Sequence, residues 1–176
     1  MPVKNNDSHK RYQTGFTLIE LLIVLFILAV LSVIAMPSYR QYALTAKQSQ
    51  VKVDMLRLSA QLESWRSQTL TYRGFVPKNG YDNKAFASVN SPLGSSNDMA
   101  DYHITLKTIK NGQATVLNDE LATNWVMLAT PTQHNKQLGL YSYALTSTGV
   151  QCANNTLIKV ERVWALANCG ERSSPW

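Results

Sequence analysis

Cysteine is scarce in this sequence, and the residue patterns that usually accompany catalysis are missing. The two cysteines, Cys152 and Cys169, belong to no CxxC pair and to no Cys/His set with metal-ligand spacing. The three histidines are scattered, without a Ser/His/Asp or paired-carboxylate signature. We therefore expect no enzyme, no metal site and no cofactor. For the cysteines, a disulfide or two idle thiols remain as alternatives.

Acidic residues are also few, 11 against 17 Lys and Arg, which gives the 176 residues a formal charge of +6. Apolar residues make up 45% of the chain and charged residues 16%, so it fits one folded domain and not a disordered chain. A basic balance raises the question of nucleic acid. However, the basic residues do not alternate with aromatic residues as they do on base-stacking surfaces, so nucleic acid has only weak support as a partner.

One long apolar run dominates the N-terminal part of the chain. Of the 21 residues from Phe16 to Met36, only three are not apolar. As a helix the run would be about 31 Å long, which matches the hydrocarbon core of a bilayer. The preceding polar residues 1–15 carry a local charge of +2, so the positive-inside rule predicts a cytoplasmic N-terminus and an exported C-terminal part. The run is long for a secretory signal peptide, and no small-residue cleavage site follows it.

Three residues distinguish this run from a plain membrane anchor. Gly15 stands at the border between the polar leader and the apolar run, where a protease needs an accessible small residue. Glu20 places a carboxylate inside the apolar run, and an ionisable residue in a membrane segment indicates a function by default. Pro37 closes the run, although helical periodicity resumes after it. A plain anchor needs none of the three.

The stretch Gly15-Phe16-Thr17-Leu18-Ile19-Glu20, followed by apolar residues and Pro37, resembles the class III leader of type IV pilins and type II secretion pseudopilins. The resemblance implies that a prepilin peptidase cleaves between Gly15 and Phe16 and N-methylates Phe16. Residues 1–15 would then be a removed leader. The mature chain would have 161 residues and a formal charge of +4.

The resemblance also gives Glu20 a role in assembly. In the family this carboxylate pairs with the N-terminal amine of a neighbouring subunit, and such a pairing would relieve the cost of a buried charge and set the axial register. A protonated Glu20, or one that reaches the membrane interface, is the alternative. The implied partners are the inner membrane, the prepilin peptidase, other pilin subunits and the pilus assembly machinery.

The predicted fold is α+β, the type IV pilin fold, in which a long N-terminal helix packs on an antiparallel sheet of about four strands. Residues 16–37 form the transmembrane and filament-core half of the helix, with a bend at Pro37, and residues 38–68 the amphipathic half. Residues 69–100 form a loop, and residues 101–176 the sheet with a C-terminal disulfide region. One helix face carries an apolar stripe of Val51, Met55, Leu58, Leu62 and Trp65. The predicted strands are Tyr102–Leu106, Trp125–Thr130, Tyr141–Ser147 and Leu157–Leu166, and Asn111-Gly112 is a tight-turn pair.

Export to an oxidising compartment favours a disulfide between Cys152 and Cys169, which flank the last predicted strand, with two reduced thiols as the alternative. We therefore predict a structural subunit of a type IV pilus, most similar to the PilE-type minor pilins. It would reside in the bacterial inner membrane before assembly and in the surface filament afterwards. The alternatives are a DNA-uptake (competence) pilin and a type II secretion pseudopilin.

Overall fold

A computed structural model of the protein describes residues 15–78, 88–117 and 122–176, with the side chain of Pro37 left out. The predicted leader therefore lies outside the described residues except for Gly15, and so does part of the predicted loop 69–100. The chain forms two compact units, Met1–Tyr42 and Ala43–Trp176. We describe each by itself.

Helix α1 runs from Leu18 to Thr69 and belongs to both units. Its N-terminal part is apolar on every side, and its most apolar stretch is not buried in the protein. By length and composition this helix can cross a membrane. The helix continues through Pro37, and the bend expected there stays a prediction.

The second unit contains a six-stranded antiparallel sheet with the strand order β1-β2-β4-β5-β6, and β3 also pairs with β2. Strands β1 and β3 pair with different halves of β2, and β4 pairs along its other side. The β2–β3 hairpin turns at Asn111 and Gly112, whose φ angles of 51° and 78° confirm the predicted tight turn. The strands are β1 Ser88–Ser91, β2 Tyr102–Lys110, β3 Gln113–Val116, β4 Val126–Pro131, β5 Ser142–Thr146 and β6 Gln151–Asn154.

Three short helical segments complete the second unit. A 3₁₀ turn, Asn97–Met99, lies between β1 and β2. Helix α2, Gln133–Gln137, follows β4, and helix α3, Val160–Leu166, follows β6.

The two faces of the sheet cover two different apolar clusters. On one face, alternate strand residues such as Ile104, Met127 and Leu145 pack against the buried stripe of α1. The stripe is confirmed: four of its five residues are fully buried, and Trp65 packs on the same cluster. The other face carries Val126, Leu128 and Ala144 and is covered by α3 and by both cysteines.

The structure corrects two expectations about the sheet. It has six strands instead of about four, because the strands β1, β3 and β6 have only four residues each and give little alternation to detect. Strand β1 is a short element within the predicted loop region 69–100. The predicted strand Leu157–Leu166 is mostly helix α3, in which Val160 and Val163 are buried and the residues between them are exposed. A spacing of three residues between buried positions belongs to a helix.

The C-terminal tail lies along the outer edge of β6. Ala153 and Ser174 exchange two backbone hydrogen bonds, of 2.8 and 3.1 Å. Trp176 donates its indole N–H to the carbonyl of Ala144 at 3.2 Å and packs edge-on against Tyr143. The tail is therefore part of the folded unit.

Three basic residues of α1 make contacts within the chain. Lys47 forms an ion pair with Asp101 at 2.6 Å, and the ammonium group of Lys52 lies 5.2 Å from the ring centre of Tyr143. Farther along, Arg66 donates to the hydroxyl of Tyr72 at 3.0 Å. These cations fasten α1 to the domain, which leaves them less available to a partner.

Candidate functional sites: the N-terminal segment and the C-terminal groove

The residues just before α1 are open and extended. Gly15, Phe16 and Thr17 precede the first helical residue, and Phe16 is 81% exposed. A Cβ atom added to Gly15 would meet nothing within 4 Å. Packing within this chain therefore does not require glycine at residue 15. A requirement for glycine would come from another protein that binds this segment.

Thr17 caps the first turn of α1. Its hydroxyl accepts a hydrogen bond from the backbone N–H of Glu20 at 3.3 Å, and its carbonyl accepts one from Leu21. A threonine followed three residues later by glutamate is the sequence pattern of a capping box. The pattern Thr17-x-x-Glu20 is the sequence signal for this cap.

Glu20 lies in the first turn of α1, and its residue is exposed. The partial positive charge of a helix N-terminus favours a carboxylate at this position. Glu20 is also four residues from Phe16, about one helical turn along the chain. The carboxylate is therefore available to a cation from outside this chain.

A second candidate site is a groove of about 450 Å³ in the C-terminal part of the domain. Three exposed cations, Lys159, Arg162 and Arg172, line it together with one carboxylate, Glu171. Within the described ranges, none of the three cations has an ion-pair partner within 4.0 Å. The groove therefore combines an excess of positive charge with open access, an arrangement that attracts anions. Its remaining lining residues are Thr156, Leu157, Cys169 and Gly170.

The wall of the groove depends on a glycine and on the disulfide. Cys152 in β6 is bonded to Cys169, with their Cα atoms 5.6 Å apart, and both residues are buried. Gly170 has a φ of +104°, and a Cβ atom there would lie 3.4 Å from the Arg162 guanidinium. A side chain at residue 170 would be strained by this φ and would lie in contact with Arg162.

The structure does not combine the residues named from the sequence into one site. Gly15, Phe16 and Glu20 lie at the start of α1, whereas Cys152 and Cys169 lie beside the groove. The groove cations were not predicted from the sequence, because Lys159 and Arg162 lie on one segment and Arg172 on another. In the part of the chain that the structure covers, no three His, Cys, Asp or Glu side chains are grouped to hold a metal ion.

Comparison with known families now decides the class of the protein. The model of the prokaryotic N-terminal methylation motif matches residues 10–36. The model described as type IV minor pilin ComP, DNA uptake sequence receptor, matches residues 37–139, more than half of the chain. The chain belongs to the ComP family of type IV minor pilins.

A curated relative supports the pilin class. The type IV major pilin protein PilA of Myxococcus xanthus (strain DK1622) is 36% identical over 67 residues. The alignment covers 38% of this chain and 30% of the relative, so it supports the pilin class and not a shared activity. No solved structure matches the chain significantly.

These findings settle the class predicted from the sequence. The protein has the type IV pilin fold, with a long N-terminal helix on an antiparallel sheet, and it is a type IV minor pilin by family. Its apolar helix and leader motif serve membrane anchoring and pilus assembly.

Proposed function

We propose that this minor pilin binds duplex DNA, and that the C-terminal groove holds a segment of the DNA backbone. The main support is the match of residues 37–139 to a family described as a DNA uptake sequence receptor. The groove adds the chemistry, because three unpaired cations face an open channel. Among the pilins, we therefore favour a DNA-uptake (competence) pilin.

The size of the groove limits what it can hold. A volume of about 450 Å³ fits a stretch of phosphate and sugar but not a whole duplex. Lysine and arginine at such a site neutralise phosphates and release counterions. Phosphate contacts give affinity and orientation without reading the bases. A sequence preference, where there is one, would therefore come from other residues.

The test is salt-dependent binding of a short mixed-sequence duplex to the full-length mature protein in detergent. We expect affinity to fall steeply between about 50 and 200 mM salt. An Arg162→Ala variant should bind more weakly and with a shallower salt dependence. Lys136→Ala is the matched control, because Lys136 is an exposed cation on α2 outside the groove. No binding above that to a neutral polymer would overturn the proposal.

For maturation, we propose that a prepilin peptidase cleaves between Gly15 and Phe16 and methylates Phe16. The match to the methylation motif and the open surroundings of Gly15 support this. The N-terminus would face the cytoplasm and the C-terminal domain the periplasm before assembly. We further propose that Glu20 then pairs with the N-terminal amine of a neighbouring subunit.

Intact-mass spectrometry of the membrane-extracted protein tests the maturation step. The expected mass lacks residues 1–15 and carries one methyl group. A Gly15→Val variant should remain uncut, because a branched side chain obstructs the peptidase. Since Gly15 has free space around it, this variant should still fold. A wild-type chain with an intact leader would refute the maturation proposal.

A further inference from the structure

The buried side chain of Asn154 connects the two rims of the C-terminal groove. One rim is the segment 156–162 that follows β6 and carries Lys159 and Arg162, and the other is the segment 169–172 that ends in Arg172. Asn154 is the last residue of β6 and is only 1% exposed. It lies beneath the groove without being one of its lining residues.

The amide of Asn154 makes four hydrogen bonds, two to each rim. Its Nδ2 donates to the carbonyls of Cys169 and Glu171 at 3.1 and 2.9 Å. Its Oδ1 accepts from the backbone N–H and the hydroxyl of Thr156, both at 2.9 Å. An asparagine amide has two donor hydrogens and two acceptor lone pairs, so this one is fully used.

A second fastener acts from the same strand. Cys152 precedes Asn154 by two residues, so both side chains leave the same face of β6. Cys152 holds Cys169 covalently, but it makes no contact with the Thr156 side of the groove among the described hydrogen bonds. Both cysteines also share an apolar cluster with Ile158 and Val160 of the first rim. Asn154 adds a direct polar link, because its amide bonds to both rims.

We propose that Asn154 is a positioning residue for DNA binding, which holds Arg172 in register with Lys159 and Arg162 so that the three cations contact one phosphate backbone together. This inference rests on the proposed DNA-binding function. Asn154 itself does not contact DNA. Its effect passes through Arg172, which is exposed and lies three residues beyond the cysteine that Asn154 helps to hold.

The test measures DNA affinity and its salt dependence for Asn154→Ala, Arg172→Ala and the double variant, each as a full-length protein in detergent. Losing one phosphate contact at 0.15 M salt costs about fivefold in affinity and lowers the salt slope by about one. We expect this loss for each single variant. In the Arg172→Ala background, Asn154→Ala should weaken binding by less than about twofold, because the cation that it positions is already gone.

The Lys136→Ala background separates positioning from a merely structural role. There Asn154→Ala should still cost about fivefold, because Lys136 lies on α2 and not in the groove. An equal loss in the Arg172→Ala and Lys136→Ala backgrounds would overturn the inference. A wild-type affinity and salt slope in Asn154→Ala would overturn it as well, while leaving the proposed DNA binding intact.

Thr156→Val gives a milder variant in case Asn154→Ala does not fold. Thr156 is exposed, and the change removes one of the four hydrogen bonds of Asn154. We expect roughly a twofold loss of affinity, restored by Thr156→Ser, which keeps the hydroxyl. No change in Thr156→Val would count against the inference. If the wild type binds no DNA, the proposed function fails and this inference fails with it.

Discussion

Helix α1 is one helix with two different uses of apolar residues. Up to Tyr42 its leucines, isoleucines and valines are exposed on every side, whereas from Val51 onward the fully buried ones lie on a single stripe. A helix that is apolar all round needs an apolar environment from outside the chain, and an amphipathic helix can be satisfied by its own domain. The N-terminal part of α1 is therefore suited to contacts outside the chain, and the C-terminal part to folding of the domain.

The largest expected effect is the loss of incorporation into pili in Glu20→Leu, which tests the assembly role of the N-terminal part of α1. If Glu20 pairs with the amine of a neighbouring subunit, removing it leaves a buried charge unpaired at a cost of about 3 kcal/mol, more than a hundredfold in incorporation. Cleavage and folding should be unchanged. The measurement is the ratio of this subunit in sheared pili to that in membranes. Glu20→Asp is the control that keeps the charge, and normal incorporation of Glu20→Leu would refute the pairing.

Leu62→Ala and Leu25→Ala compare the two parts of the helix directly. Leu62 is fully buried in the domain core, so its truncation should lower the free energy of unfolding by about 2 to 5 kcal/mol. Leu25 is 58% exposed, and its truncation should leave the unfolding of the domain unchanged. Chemical denaturation in detergent, followed by tryptophan fluorescence, measures both. Equal effects would mean that the two uses of the helix are not separate.

Thr17→Ala should have a smaller effect, confined to the first part of the helix. It removes the hydroxyl that accepts the Glu20 N–H, and loss of such a cap costs about 1 kcal/mol. Hydrogen exchange of the first-turn amides should rise, with no change in the sheet. Thr17→Ser, which keeps the hydroxyl, should behave as the wild type. Uniform exchange changes across the chain would contradict a local cap.

The smallest effect concerns pH and only the second part of the molecule. Burial raises the pKa of Tyr143 from its ordinary value of 10 to about 12. The folded state therefore holds this proton more tightly than the unfolded state, so stability is constant below about pH 10 and falls between about pH 10 and 12. In Tyr143→Phe this part of the alkaline loss should disappear. An unchanged alkaline profile in that variant would exclude Tyr143 as its source.

The sequence predicted best where a pattern was long. The membrane-length run and the stripe from Val51 to Trp65 each extend over several helical turns, so their periods were clear and the structure contains both. Strands of four residues, such as β1 and β6, gave too few alternations to be found.

The groove could not be predicted, for a different reason. Its cations lie on two separate segments, which Asn154, the disulfide and apolar packing hold together. Contacts between distant segments produce no periodic pattern in the sequence. The residues Val160 to Leu166 were predicted as a strand because they are rich in apolar and β-branched side chains. Burial of Val160 and Val163 against the sheet favours a helix instead.

The C-terminal tail beside β6 affects how copies of the protein can associate. An outer strand with free N–H and C=O groups invites pairing with a strand of another molecule. The two hydrogen bonds between Ala153 and Ser174 occupy that side of β6. At this border the sheet is closed to lengthening by a strand of a second copy. Copies that associate through sheet edges would have to use the opposite border, where β1 and β3 lie.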